Sequence, residues 1–211
     1  GEQKKFSQIK ENNFFLKHNE IKCLEENEKR SLVFLEHFDV KVGLATLLDK
    51  GYYLADCKIK GDYVVGEGIK VEKEITRRCY KASKLSIYNN NREDYFIYPY
   101  DSNKKVLSDE HISENFPQAY QHLLKSKNAF LNRDKGSFGK LYEQGKVEWF
   151  EYGRSQGLSL KKQKVLLSPI MSKVFHKKID SGLFFSGYCI YPTGDQSFKV
   201  LQKILKSEDF L

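Results

Sequence analysis

The sequence predicts an α+β fold, a single mixed domain with a twisted, mostly antiparallel sheet and several helices. Three observations carry that expectation. Short runs rich in Val, Ile, Tyr and Phe recur between turn residues over residues 31–100 and again over 163–192. Apolar spacing of helical period is confined to a central stretch after Pro117 and a closing one after Ser197. With 211 residues, 40% of them hydrophobic and 14% aromatic, the chain has enough apolar mass for a core and the length of one domain or two small ones.

In chain order, residues 1–30 are strongly charged, and Phe6, Ile9, Phe14 and Phe15 can share one face of an opening helix. The run from Ser31 to Leu35 opens the β-rich portion. Val40-Lys41-Val42 alternates and leads into a Gly43-Leu44-Ala45-Thr46 turn and a strand around Gly51-Tyr52-Tyr53-Leu54. Cys57 to Lys60 and Tyr63 to Val65 read as a hairpin about Gly61-Asp62, a pair suited to a tight turn. Ile69 to Arg78 is a short helix or strand with a charged far face. Asn89 to Arg92 is a turn. The aromatic run Tyr95 to Tyr100 is a strand stopped by Pro99, hence an edge or terminal strand, with Tyr98 and Tyr100 in the core.

Pro117 opens a helix that carries Tyr120, Leu123, Leu124 and Leu131 and runs out at Asn132 to Gly136. The only tryptophan, Trp149, centres a strand ending in Tyr152-Gly153-Arg154-Ser155-Gln156 and belongs in the core, where it orients that loop. A strand follows from Val165 to Met171. Phe175 to Lys178 leads into a loop. Leu183 to Phe185 and Tyr188 to Tyr191 read as strands paired around Ser186-Gly187, or with a bulge there. Ser197 caps a last helix whose apolar face is Phe198, Leu201, Ile204 and Leu205.

Charge is unevenly distributed. Between Pro117 and Lys178 lie thirteen Lys or Arg against four Asp or Glu, a local charge of +9 in a chain whose total is +8. Basic residues interleaved with aromatics and amides suit a polyanion, nucleic acid first. A solvated lysine-rich surface is the competing reading of charge alone. Arg77, Arg78, Lys81 and Lys84 form a second cluster.

Several chemistries are unsupported. No Pro-Pro dipeptide occurs, and none of the four prolines follows Asn or Asp, so the loop that holds a flipped adenine amino group is missing. No Gly-rich nucleotide loop follows a strand. The triplets Glu2-Gln3-Lys4 and Glu20-Ile21-Lys22 both precede the first aspartate, Asp39, which is the wrong order for a metal nuclease. The four cysteines, Cys23, Cys57, Cys79 and Cys189, are widely spaced without zinc spacing, and read as reduced, buried thiols of a cytoplasmic protein. No run of eighteen apolar residues exists, so no membrane partner is expected.

The central stretch resembles a known family. FPQAYQHLLKSKNAFLNR, a short loop, a Trp-centred strand ending in Tyr-Gly-Arg and then Lys-Val-Leu-Leu-Ser-Pro are preceded by Ile97-Tyr98-Pro99-Tyr100 and followed by Leu201 to Ser207. That order is similar to the C-terminal specificity domain of TaqI-like and Eco57I-like N6-adenine DNA methyltransferases of restriction–modification systems. The resemblance implies a TaqI-like specificity domain fold. Residues 1–30 would connect to an upstream catalytic domain, and residues 31–211 would form the DNA target recognition domain. The implied partners are double-stranded DNA and the methyltransferase domain of the same polypeptide. S-adenosylmethionine is expected in that catalytic domain and no cofactor in this chain.

On this reading no residue here is catalytic. Arg154 and Gln156, with Ser155 between them, are the candidates for base or near-base contact, since Arg pairs bidentately with guanine and Gln with adenine. Arg133, Lys135 and Lys140 are phosphate ligands. Arg77, Arg78, Lys81 and Lys84 also suit phosphate, and Thr46 offers a hydroxyl in a Gly-x-x-Thr turn. Two other classes fit the same features: half of a type I restriction specificity subunit, and a basic module binding protein or RNA.

Overall fold

Backbone pairing sorts the strands into three sheets rather than one. The computed structural model describes residues 34, 36–89, 91–154, 158, 163–168, 176–194 and 197–206. The strands are β1 (Phe38–Val42), β2 (Tyr53–Leu54), β3 (Lys58–Lys60), β4 (Tyr63–Gly66), β5 (Ile69–Glu72), β6 (Thr76–Lys81), β7 (Asp94–Ile97), β8 (Lys164–Leu167), β9 (His176–Ile179), β10 (Leu183–Phe185) and β11 (Tyr188–Pro192). They form sheets of order β1-β11-β8-β9, β10-β6-β7-β2 and β3-β4-β5. Every pairing is antiparallel except β10 with β6. The helices are α1 (Asp109–Asn115), α2 (Pro117–Leu124), α3 (Lys127–Leu131), α4 (Ser137–Glu143) and α5 (Phe198–Ile204). The fold is thus α+β and mostly antiparallel. No helix among the described residues is long and apolar enough to cross a membrane.

Alternate residues of a strand serve different cores, which stacks the layers. In β10, Leu183 and Phe185 join the largest apolar cluster while Phe184 joins a second. In β8, Leu166 belongs to that second cluster, and Val165 and Leu167 face a third built on α5. β11 repeats the pattern, with Cys189 and Tyr191 on one side and Ile190 on the other. The largest cluster gathers Tyr52, Phe96, Phe130, Trp149 and Tyr152 between the second sheet and the helices α1 to α4. Cys57, Cys79 and Cys189 are free and buried, and burial raises the pKa of each thiol.

Local signals translate directly. The β3–β4 hairpin closes Lys60 on Tyr63 across Gly61-Asp62. The Ser197 hydroxyl accepts the Val200 amide at the start of α5, and Leu201 and Leu205 bury its apolar face. Ser108 caps α1 in the same way through the His111 amide. Glu72, at the end of β5, accepts the Gln118 and Ala119 amides at 2.8 Å each and so ties the third sheet to the first turn of α2.

Four expectations are corrected. The helix from Pro117 breaks at Ser126, whose backbone leaves the helical region, and resumes as α3. The Trp149 segment is a set of turns, not a strand. β7 is an interior strand between β6 and β2, because it ends at Ile97, before Pro99, and needs no amide from the proline. β10 and β11 do not pair with each other: Ser186-Gly187 carries the chain from the second sheet to the first. In addition, His176–Ile179 is a strand where a lead into a loop was expected, Ile69 to Arg78 resolves into β5 and β6, and Phe34, Glu36 and His37 are helical within the stretch read as opening the β-rich part. Ser31, Ile170, Met171, Cys23 and the 1–30 connector lie outside the described residues.

Candidate nucleic-acid interface

Arg133 follows α3 in a run that looks solvated, Asn-Arg-Asp-Lys, yet it is only 4% exposed. All five N–H donors of its guanidinium are used. Nε donates to the Phe130 carbonyl at 2.9 Å. Nη1 donates to the Thr46 carbonyl at 2.8 Å and to the Tyr52 hydroxyl at 3.0 Å. Nη2 donates to the carbonyls of Trp149 at 3.3 Å and Glu151 at 2.7 Å. The guanidinium lies over the Phe138 ring at 3.9 Å and the Phe130 ring at 5.0 Å. The Tyr52 hydroxyl in turn faces the carbonyls of Phe150 and Glu151 at 3.0 and 3.1 Å. Burial pulls the Arg133 pKa down and pushes the Tyr52 hydroxyl far up, so the pair stands as guanidinium and neutral phenol.

This network corrects two expectations. Arg133 is no phosphate ligand: its donors are spent on four carbonyls and a phenol inside the molecule. Thr46 is fully buried, and its hydroxyl donates to Asp49 at 2.6 Å while accepting the Leu48 amide at 3.1 Å. It shapes a turn rather than meeting a ligand.

What Arg133 holds is a pair of loops. The Gly153 amide donates to the Thr46 carbonyl and the Arg154 amide to the Ala45 carbonyl, both at 3.1 Å. The Tyr152 amide donates to the Tyr100 hydroxyl at 2.8 Å, and the Tyr152 hydroxyl to the Ile97 carbonyl at 2.7 Å. Trp149 is fully buried, as expected, with its indole N–H on the Asp109 carboxylate and Lys127 4.8 Å above its ring. Residues 45–47 and 152–154 therefore run side by side on a rigid base, and the Arg154 side chain leaves it exposed. Arg154 has no carboxylate partner among the described residues.

The row continues on the other side. Leu44 bridges to Phe185, with its amide on the Phe184 carbonyl at 2.8 Å. Phe185 is the register partner of Lys81 at the end of β6. Two strand spacings put Lys81 about 10 Å from Leu44. Lys81 is half-buried, its ammonium 5.9 Å from the Phe185 ring, and Lys84 just beyond is exposed. Lys81 and Arg154 thus flank the 44–47 loop. Lys135 and Lys140 are exposed on the turn after Arg133 and on α4. Ser155 and Gln156 lie outside the described residues.

The second basic cluster divides. Arg77 and Arg78 are neighbours in β6 and point to opposite faces. Arg77 is held over Tyr98 and donates to the carbonyls of Glu74 and Thr76 at 2.7 Å. Arg78 pairs with Glu93 at 2.9 Å. The groove beside them, about 740 Å³, mixes Asp62, Glu72, Glu74 and Glu93 with Lys73, Arg77 and Arg78. Arg77 and Arg78 thus share their charge with neighbouring carboxylates and carbonyls, while Arg77 is half-buried and Arg78 remains exposed. Sequence reasoning had no means of pairing Lys81 with the 44–47 loop, because the link passes through Phe185, over a hundred residues away. No protein-family model matches the chain, and no curated protein does either.

Proposed function

We infer that this chain binds double-stranded DNA at the exposed Arg154, on the ridge where the 45–47 and 152–154 backbones run side by side, with Lys81 on the far side of the 44–47 loop. The reading is that of a target recognition domain of an N6-adenine DNA methyltransferase. Methyl transfer from S-adenosylmethionine then belongs to a catalytic domain of the same polypeptide. The observation that carries the reading is the use of a fully satisfied, buried Arg133 to fix the backbone under an exposed Arg154 that has no carboxylate partner among the described residues. A side chain that reads base edges must be placed accurately, and rigid support for an exposed arginine suits that task. Lys81, Lys84, Lys135 and Lys140 supply phosphate contacts, which set orientation without reading sequence.

The test separates these roles on a duplex selected from a randomised pool. Arg154→Ala is expected to weaken binding to the selected duplex about tenfold or more, and to random duplex much less. Lys135→Ala is expected to weaken both alike and to reduce the salt slope by about one phosphate's worth. Equal losses from the two variants on both duplexes contradict the assignment.

A further inference from the structure

β1 (Phe38–Val42) is an outer strand of the sheet β1-β11-β8-β9, and among the described residues no strand pairs with its free side. The free side of a strand presents amides and carbonyls that can template another strand. A proline, a bulge or a row of like charges normally prevents this, and β1 has none of the three. Its register with β11 runs unbroken from Phe38 opposite Pro192 to Val42 opposite Tyr188. Phe38, Val40 and Val42 share one face. Phe38 is buried in the cluster built on α5, but Val40 and Val42 are 38% and 45% exposed, and Tyr188 beside Val42 is 43% exposed. The other face carries Asp39 and Lys41, paired with each other at 2.9 Å on the surface.

We propose that β1 is a dimerisation edge, which pairs antiparallel with β1 of a second copy of this chain about a twofold axis at Val40. The run Phe-Asp-Val-Lys-Val is complementary to its own reverse. Centred on Val40, the pairing sets Asp39 opposite the second copy's Lys41, and Lys41 opposite its Asp39. Val40 meets Val40, and Val42 meets Phe38. Opposite charges across antiparallel strands attract and like charges repel, so this pattern selects both the partner and the register. A slip of one residue sets Asp39 against Val40 and Phe38 against Lys41, which puts charge on the apolar face. The other outer strands lack the pattern. Lys58 and Lys60 of β3, and Lys177 and Lys178 of β9, would face their own kind on self-pairing. β2 has two residues, the three of β10 are all buried, and β5 is tied to α2 through Glu72. The interface is isologous, so it closes as a dimer. The chain passes from Val42 through Gly43 into the 44–47 loop, so one such loop stands at each end of the joined strands. The dimer needs no DNA and does not depend on the DNA-binding reading.

A single strand pair is a small interface, so monomer and dimer are expected to exchange with concentration. Sedimentation velocity of the whole chain, without DNA, is followed from about 5 μM to about 500 μM, a range that spans weak specific association. The wild type is expected to pass from monomer to dimer across it. Asp39→Lys and Lys41→Asp each set like charges across the axis, and each alone is expected to stay monomeric. Mixed in equal amounts, the two variants are expected to recover the dimer, because every charge in the mixed pair faces its opposite. Val40→Lys, at an exposed position, is expected to stay monomeric and to melt within a few degrees of the wild type. Should a charge variant fail to fold, Val40→Lys decides the matter. A wild type that is monomeric throughout overturns the proposal. A dimer that persists in any single variant places the contact elsewhere and overturns it too. Folded charge variants whose mixture remains monomeric overturn the register.

Discussion

Arg133→Ala is expected to destabilise the protein by about 3–5 kcal/mol, the range for breaking a buried, fully bonded charge. The variant removes the donors from the Phe130, Thr46, Trp149 and Glu151 carbonyls and from Tyr52, and it opens a void between the Phe130 and Phe138 rings. Some acceptors keep a second donor. Thr46 still takes the Gly153 amide, and Glu151 still faces Tyr52. Trp149 has no other donor among the bonds described, so its buried carbonyl bears the largest penalty. Arg133→Lys retains the charge but gathers its donors on one nitrogen, which does not span carbonyls on opposite sides of a planar guanidinium. It is expected to lose more than half of what alanine loses. Urea denaturation measures the cost, and amide hydrogen exchange locates it: protection at Gly153 and Arg154 falls before protection in β6 or β7. A loss below about 1 kcal/mol, or uniform loss of protection, contradicts the role given to Arg133.

Asp94→Ala is expected to have an effect of similar size, about 3–5 kcal/mol. Asp94 is fully buried at the start of β7. One of its oxygens accepts the hydroxyls of Tyr53, at 2.5 Å, and Tyr88, at 2.6 Å; the other accepts the Asp56 amide at 2.8 Å and the Arg92 Nε at 2.9 Å. Four donors from four segments converge on one carboxylate, which stitches β2, β7 and the turns around them. Tyr88 passes the connection on, since its hydroxyl accepts the Lys81 amide at 2.6 Å. Burial first, and the bond to Asp94 second, push the Tyr53 and Tyr88 hydroxyls well above their ordinary range, so both stay neutral donors. Asp94→Asn keeps one acceptor oxygen and turns the other into a donor facing donors. It is expected to cost about half as much as alanine. Both variants loosen the strand end that carries Lys81, so DNA affinity is expected to fall with stability. A variant that melts early but binds DNA as the wild type does separates Asp94 from the ridge.

The sequence spoke clearly where the cause of structure was local. Gly61-Asp62 defined a hairpin and Ser197 a helix cap, because each depends on residues within a turn of the chain, and the bulk of Trp149 alone argued for a place in the core. It was silent where the cause lay in distant pairing. Leu183 to Phe185 has the composition of a strand, but nothing in it names β6 as its partner over the adjacent β11. Arg133 was misread for a related reason. Flanked by Asn and Asp in a lysine-rich run, it has the local look of solvated surface, and only the arrival of the Thr46, Trp149 and Glu151 carbonyls makes burial affordable. Thr46 was legible as a turn residue but not as a buried one.

The most direct measurement of the central claim is the equilibrium binding of duplex DNA by the whole chain as a function of salt. With Lys81, Lys84, Lys135 and Lys140 each neutralising one phosphate, as proposed, log K is expected to fall against log salt with a slope of about −3.6. Removal of the Arg154 side chain should then reduce affinity for the selected duplex beyond what that slope explains. Affinity that does not change with salt, or no binding to duplex at low salt, would contradict the account.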